Sequence, residues 1–244
     1  MPYRRLPNTD NARLKSLRIA FEKGKEIPPF KLAFSQGSYR KVHSVLPGFE
    51  QAILEQRNAN NIHADKNKEF QKRLKKAKLY ISHFVQVINM AIMRGDLRPE
   101  TRNYFGLEED SKKVPTLNTD EEVIEWGKKL IDGERSRISK GQSPITNPTV
   151  AVMKVHYDNF VETQNYQKAL KLRTNRAHEI LIQKREEVDQ LIQQIWNEVE
   201  ATYNDLPEEI RREKASDYGL IYVFRKSELG GLNLFQSSRI ERFG

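Results

Sequence analysis

The spacing of hydrophobic residues along the chain predicts a helical protein. Placed at the 100° interval of an α-helix, the apolar residues between 70 and 92 fall within one arc of about 120°, and those between 181 and 203 form a corresponding face. Neither glycine nor proline occurs between Phe49 and Arg94 or between Thr149 and Leu206. Because strands do not run that long, we predict two long helical regions, including a helix over 66–94.

A polar stretch interrupts each helical region, at residues 55–69 and 162–176. The first contains Asn58, Asn60 and Asn61, which tolerate turn conformations, so we predict a hairpin at each stretch. Two such hairpins make an antiparallel four-helix bundle. The alternative is two unbroken helices of over 50 residues packed as a coiled coil. In either case, Pro47-Gly48 predicts a kink or a new helix start.

Short motifs recur once along the chain in a shared order. Each half opens on an Asn-Thr-Asp motif just after a leucine, with a proline between them in the first half, continues through Lys-Val-His, and closes on Asp-Leu and Pro-Glu before a Gly-Leu pair. We interpret this as an internal duplication, with repeat unit 1 at 6–107, repeat unit 2 at 116–220 and a C-terminal tail at 221–244, the two units packing as one domain. The alternative is that two helical hairpins converged on similar caps.

Local signals place shorter elements around the long helices. Thr119 and Glu122 form a capping-box pattern that predicts a helix over 119–139, and a shorter counterpart starts after Asn8 or Asp10. Short helices should begin at two prolines and end near two glycines, each followed by a buried leucine: Pro99, Gly106 and Leu107, then Pro207, Gly219 and Leu220. Residues 220–224 are strand-like. The predicted fold class is therefore all-α, internally duplicated, with additional short helices and a short extended C-terminal segment.

The composition excludes several classes of protein. The 244 residues are 37% hydrophobic and 31% charged, which is typical of a globular chain, and they include no cysteine. Disulfides, thiolate metal sites, iron–sulfur clusters and cysteine nucleophiles are therefore excluded. No apolar run is long enough to cross a bilayer, and the first ten residues have no apolar core of a signal peptide. We expect a cytoplasmic protein without a membrane partner.

The net charge of +9 is concentrated in the first half of the chain. Residues 1–110 contain 21 basic and 12 acidic side chains, whereas the remaining residues are balanced. Several lysines of the helix at 66–94 lie opposite its apolar arc, and they predict a surface for nonspecific nucleic-acid binding. A solvated helix face explains the same pattern. These residues are Lys68, Lys72, Lys75, Lys76 and Lys78.

The sequence contains no recognisable catalytic constellation. No two histidines are three or four residues apart, and neither a phosphate-binding glycine loop nor a nucleophile elbow occurs. We therefore predict no catalytic residues, no metal site and no cofactor. His43 and His156 both lie in Lys-Val-His, so the duplication could bring them together in a ligand site on a pseudo-two-fold axis. A partly solvated histidine near a helix start is the competing interpretation.

Without a catalytic motif, the sequence favours a non-enzymatic helical interaction or scaffold protein with another protein as its partner. The regions outside the repeated helices are the candidates for contact, namely the loop from Glu108 to Pro115 and the tail from Ile221 onward. Nucleic-acid binding through the lysine surface and ligand binding on the pseudo-two-fold axis are the alternatives.

Overall fold

A computed structural model describes residues 2–224, which are predominantly helical as predicted. Between short strands at Tyr3–Arg4 (β1) and Tyr222–Val223 (β2) lie five α-helices and one 3₁₀ helix. In chain order the helices are α1 (Asp10–Glu26), α2 (Gln36–Arg94), the 3₁₀ helix Pro99–Phe105, α3 (Asp120–Ser139), α4 (Val150–Thr202) and α5 (Glu208–Ser216). Within this described part of the chain, no helix is both long enough and apolar enough to cross a membrane.

The predicted helix starts are confirmed by side-chain caps. Thr9 is the N-cap of α1, and its hydroxyl accepts a hydrogen bond from the Ala12 backbone N–H at 3.2 Å. Thr119 caps α3 in the same way, accepting from the Glu122 N–H, while the Glu122 carboxylate accepts from the Thr119 N–H. These bonds satisfy N–H groups that the first turn leaves without partners. α1 has 17 residues and is shorter than α3, which has 20, as predicted.

The predicted hairpin turns are wrong. α2 runs unbroken for 59 residues and α4 for 53, so the polar stretches at 55–69 and 162–176 are helical. A helix is costly to start but easy to extend, and each stretch continues a helix that is already packed on both sides. An asparagine in a helix costs only about 0.7 kcal/mol at most, too little to impose a turn. The structure therefore has the two unbroken helices of the alternative, and the four shorter helices of the predicted bundle are absent from the described residues.

Pro47 lies inside α2 and does not start a new helix. A proline removes one backbone hydrogen bond, but packing on both sides of it holds the helix together. Phe49 and Val42, which flank the proline, are both fully buried.

The closing motifs of both halves fold as predicted. A 3₁₀ helix starts at Pro99, and α5 follows Pro207 as its N-cap. Gly106 and Gly219 then have positive φ angles of 68° and 84°, which glycine adopts without strain. Leu107 donates its N–H to the Arg102 carbonyl, and Leu220 donates to the Ala215 carbonyl, so both helices end in the same six-residue turn. Leu107 and Leu220 are 6% and 3% exposed.

The strand-like run near the end of the described residues contributes a short strand. β2 pairs with β1 in an antiparallel ladder, in which Tyr3 lies opposite Val223 and Arg4 opposite Tyr222. The Tyr222 hydroxyl donates to Glu200 Oε1 at 2.7 Å, which ties the strand to α4. Burial, followed by this hydrogen bond, raises the pKa of Tyr222 far above its usual range.

The described chain divides into two compact units, each with its own core. The terminal unit contains residues 2–58 and 175–224, and the central unit contains residues 59–174. Leu220 packs in the core of the terminal unit and Leu107 in that of the central unit. Each unit combines segments from both sequence repeats, so the compact units do not coincide with the boundaries at 6–107 and 116–220.

Candidate functional site

The lysines singled out from the sequence lie on the part of α2 that belongs to the central unit. The apolar residues Phe70, Leu74 and Ala77 of the same segment are buried, which turns the intervening positions toward solvent. Lys68, Lys72, Lys75 and Lys76 are all exposed, and we call them the lysine face. Lys78 is different, because it is half-buried and its ammonium group donates to the Asn118 carbonyl at 3.4 Å.

The lysine face has no acidic partners in the described part of the chain. Two carboxylates lie nearby, Asp65 and Glu69, and Glu69 pairs with Lys66 at 3.8 Å and with Arg73 at 3.6 Å. Both carboxylates line a surface cavity of about 590 Å³ together with Lys68, Lys72 and Lys76. The four lysines are therefore exposed and form no ion pair among the described residues, and their surface also carries negative charge.

A histidine and a tyrosine stack close to the lysine face. The ring centroids of Tyr80, on α2, and His156, on α4, are 3.9 Å apart. Burial lowers the pKa of His156, and the charges of Lys76 and Arg73 lower it further. The pair was not predicted from the sequence, because it is formed between two helices. The sequence did contain one indication: Tyr80 lies four residues after Lys76, and residues at this spacing are neighbours on a helix surface.

The two histidines proposed from the duplication have different surroundings. His43 is an exposed residue of the terminal unit, and its ring centroid lies 5.8 Å from that of Phe21. His156 belongs to the central unit and stacks on Tyr80. Across residues 2–224, no group of three or more histidine, aspartate or glutamate side chains is placed to hold a metal ion.

The loop from Glu108 to Pro115 has a defined backbone even though it contains no regular secondary structure. Arg102 donates from Nε to the Glu108 carbonyl at 2.6 Å and from Nη2 to the Lys113 carbonyl at 3.5 Å. Asn89 donates from Nδ2 to the Lys112 carbonyl at 3.0 Å, and its own Oδ1 accepts from Arg102 Nη1. Three carbonyl groups of the loop are thus held by two side chains from outside it.

Arg102 is buried to an unusual degree for a charged residue. Its exposed fraction is 3%, and it forms no ion pair with a carboxylate among the described residues. Burial lowers the pKa of its guanidinium, while the negative charge of Glu108 opposes that effect. Arg102 was not predicted from the sequence, because arginine is rarely buried. A signal was available, since residues three apart in a 3₁₀ helix share one side and Arg102 is three residues before the fully buried Phe105.

The other predicted contact region is only partly described. Ile221 is exposed, and its carbonyl accepts from the Arg5 N–H at 2.8 Å. The rest of the tail, residues 225–244, lies outside the described residues.

Comparison with known proteins gave no relative. No protein-family model, no curated protein and no solved structure matches this chain.

Proposed function

We propose that this chain is a non-enzymatic interaction or scaffold protein that presents the loop from Glu108 to Pro115 to a protein partner. The observation that carries the proposal is the fixation of the loop by Arg102 and Asn89. A loop whose conformation is fixed before binding loses less entropy when a partner binds, and this strengthens binding. Its side chains at Glu109, Asp110 and Lys112 are exposed and can face a partner.

The experiment removes those exposed side chains and leaves the carbonyl hydrogen bonds in place. The variant is Glu109→Ala, Asp110→Ala and Lys112→Ala, and the matched control is Glu179→Ala, Glu186→Ala and Lys171→Ala on the exposed surface of α4. Both remove two acids and one base. Quantitative affinity capture from the source cells should recover about tenfold less partner with the loop variant and an unchanged amount with the control. Equal recovery with both variants would contradict a role for the loop.

We propose further that the two halves arose by duplication. Support comes from the paired caps at Thr9 and Thr119 and from the paired closing turns at Leu107 and Leu220. Because each compact unit combines segments of both halves, a fragment ending at residue 110 lacks its complement and should form a homodimer. Sedimentation equilibrium measures this, and a monomeric folded fragment would count against equivalent halves.

A second candidate function is nonspecific nucleic-acid binding, favoured by the absence of acidic partners for the lysine face among the described residues. Changing Lys72, Lys75 and Lys76 to Glu should abolish binding to duplex DNA and single-stranded RNA at low salt. The control changes Lys128, Lys168 and Lys171 to Glu, three exposed lysines of the same unit, and it has the same net charge. Fluorescence anisotropy measures both, and an equal loss would show that net charge alone matters. The cytoplasmic location and the ligand site on a pseudo-two-fold axis remain predictions from the sequence.

A further inference from the structure

A cavity of about 420 Å³ lies in the central unit, beside the end of the 3₁₀ helix. Its lining includes the buried Leu107, the loop residues Glu108, Ser111 and Lys113, and the indole of Trp126 from α3. The volume lies within the range of small-molecule pockets, which are usually about 300 to 1,000 Å³. Arg102 also lines the cavity, and it is the one nearly fully buried charge there.

Arg102 has hydrogen-bonding capacity that the described chain does not use. A guanidinium carries five N–H groups. Three of them bond to Asn89 Oδ1 and to the carbonyls of Glu108 and Lys113. All three acceptors are neutral, so within residues 2–224 the positive charge is solvated by dipoles and is not neutralised. A buried charge of this kind is costly unless an anion pairs with it.

We propose that this cavity binds a small carboxylate, which accepts the two remaining N–H groups of Arg102 while its apolar body packs against Trp126. A planar guanidinium fork matches the two oxygens of a carboxylate better than it matches a neutral amide. Lys113 adds a second positive charge to the lining. The combination of one buried cation, one exposed cation and one aromatic ring selects an acid with an apolar substituent.

Glu108 is the internal competitor of such a ligand. Its carboxylate is the one acidic group on the cavity lining, and it lies near enough to raise the pKa of Arg102 without forming an ion pair. Its backbone carbonyl, by contrast, is a structural acceptor for Arg102 Nε. Glu108→Gln therefore removes the competing charge and retains the bond that shapes the loop.

The carboxylate has two chemical sources, a free small acid or the C-terminus of a peptide. Phenylacetate probes the first, and a short peptide ending in phenylalanine with a free carboxylate probes the second. Phenylacetamide and the C-terminally amidated peptide are the neutral controls. Tighter binding of the peptide acid than of phenylacetate assigns the site to a peptide terminus, and the reverse assigns it to a free acid. Ligand binding does not depend on partner capture by the loop, and the two are measured separately.

The test is titration of the full chain while tryptophan emission is recorded. Phenylacetate or the peptide acid should change the tryptophan emission saturably, and each acid should bind about tenfold more tightly than its amide. Trp126→Phe should abolish the emission change. Glu108→Gln should bind the acid about tenfold more tightly, because a nearby like charge is removed. Arg102→Lys should weaken binding of the acid at least tenfold. If the Arg102→Lys protein does not fold, Lys113→Ala provides a second test, because it also should weaken binding of the acid. Equal affinity for acid and amide, the absence of any saturable change, or unchanged affinity in Glu108→Gln would overturn the proposal.

Discussion

The two compact units differ in how deeply they bury the charged side chains of their shorter helices, α1 and α3. In the terminal unit, α1 is joined to α4 by two two-pronged ion pairs, Asp10 with Arg185 and Arg13 with Asp189, all four side chains being partly exposed. In the central unit, Glu134 and Arg137 of α3 pair with each other at 0% and 1% exposure.

The buried pair also fixes the connection that follows α3. Glu134 Oε1 accepts from the Ile145 N–H at 2.7 Å, and Arg137 donates to Gln142 Oε1 at 2.9 Å and to the Ser143 carbonyl. Solvent-accessible pairs contribute little because water and salt screen them, whereas removal of one partner from a buried pair leaves a charge without compensation. The central unit should therefore be sensitive to single charge substitutions that the terminal unit tolerates.

The chain offers a separate optical probe for each unit. It contains two tryptophans: Trp126 packs against the core of the central unit, and Trp196 is buried in that of the terminal unit. Trp126→Phe therefore leaves Trp196 as the sole reporter of the terminal unit.

The largest effect is expected from Glu134→Ala. The substitution leaves the Arg137 guanidinium and the Ile145 N–H without their buried acceptor, and it should destabilise the central unit by about 3 to 5 kcal/mol. Urea denaturation measures the loss, with the Trp126 signal taken as the difference in emission between each protein and its Trp126→Phe counterpart. The control is Asp132→Ala, which removes an exposed pair with Arg135 on the same helix and should change stability by at most about 0.5 kcal/mol. Similar losses in both variants would remove the distinction between buried and exposed pairs.

The next largest effects are expected from two leucine substitutions, which test whether the closing turns of the two units are equivalent. Leu107→Ala and Leu220→Ala each remove a buried side chain from a separate core, and each should cost about 2 to 4 kcal/mol. Leu107→Ala should shift the transition reported by Trp126, and Leu220→Ala that reported by Trp196. A negligible cost at one position only would show that the two turns are not equivalent.

A smaller effect is expected from glycine substitutions on α1 and α3, which test how closely each helix approaches its neighbours. A Cβ on Gly133 of α3 would lie 2.4 Å from the Tyr104 carbonyl oxygen, which belongs to the backbone of the 3₁₀ helix. Gly133→Ala should therefore cost about 1 to 3 kcal/mol, because the backbone cannot easily move away.

The matched substitution in the terminal unit is Gly24→Ala. There the new Cβ would lie 2.2 Å from Cδ2 and 2.9 Å from Cγ of Tyr39, a half-buried ring that packs against the core and would have to shift. Alanine favours the helix by about 1 kcal/mol and offsets part of that cost, so the loss should be smaller than for Gly133→Ala. Thermal unfolding of both variants measures the difference, and an equal loss would show that Tyr39 is held as firmly as a backbone carbonyl.

Local signals in the sequence were sufficient for the caps and the closing turns, because these depend on residues within one turn of each other. Thr119 with Glu122 and Gly106 with Leu107 are examples. The continuity of α2 and α4 was not recoverable from the polar stretches, since an exposed helix and a hairpin turn have the same composition. Residues 60–69 and 171–180 contain no buried side chain and are nevertheless helical. The buried charges at Arg102, Glu134 and Arg137 were also missed, because their hydrogen-bond partners lie in loops whose path depends on the folded structure.

The smallest predicted effect concerns the acid response of the terminal unit. The hydrogen bonds from Arg185 hold the pKa of Asp10 below the 3.8 of an unperturbed aspartate, against the opposing effect of partial burial. The folded state therefore releases the proton more readily than the unfolded chain, so the pair stabilises the unit above the unfolded pKa and loses this contribution as the pH falls through the folded pKa. Asp10→Asn should cost about 1 kcal/mol at pH 7 and a smaller amount at pH 3, which is below the unfolded pKa. Urea denaturation at both values, recorded through Trp196 in the Trp126→Phe background, measures this. The Asp132→Ala control should leave the acid response of Trp196 unchanged, and an Asp10→Asn penalty of equal size at both pH values would indicate that Asp10 acts through packing and not through its charge.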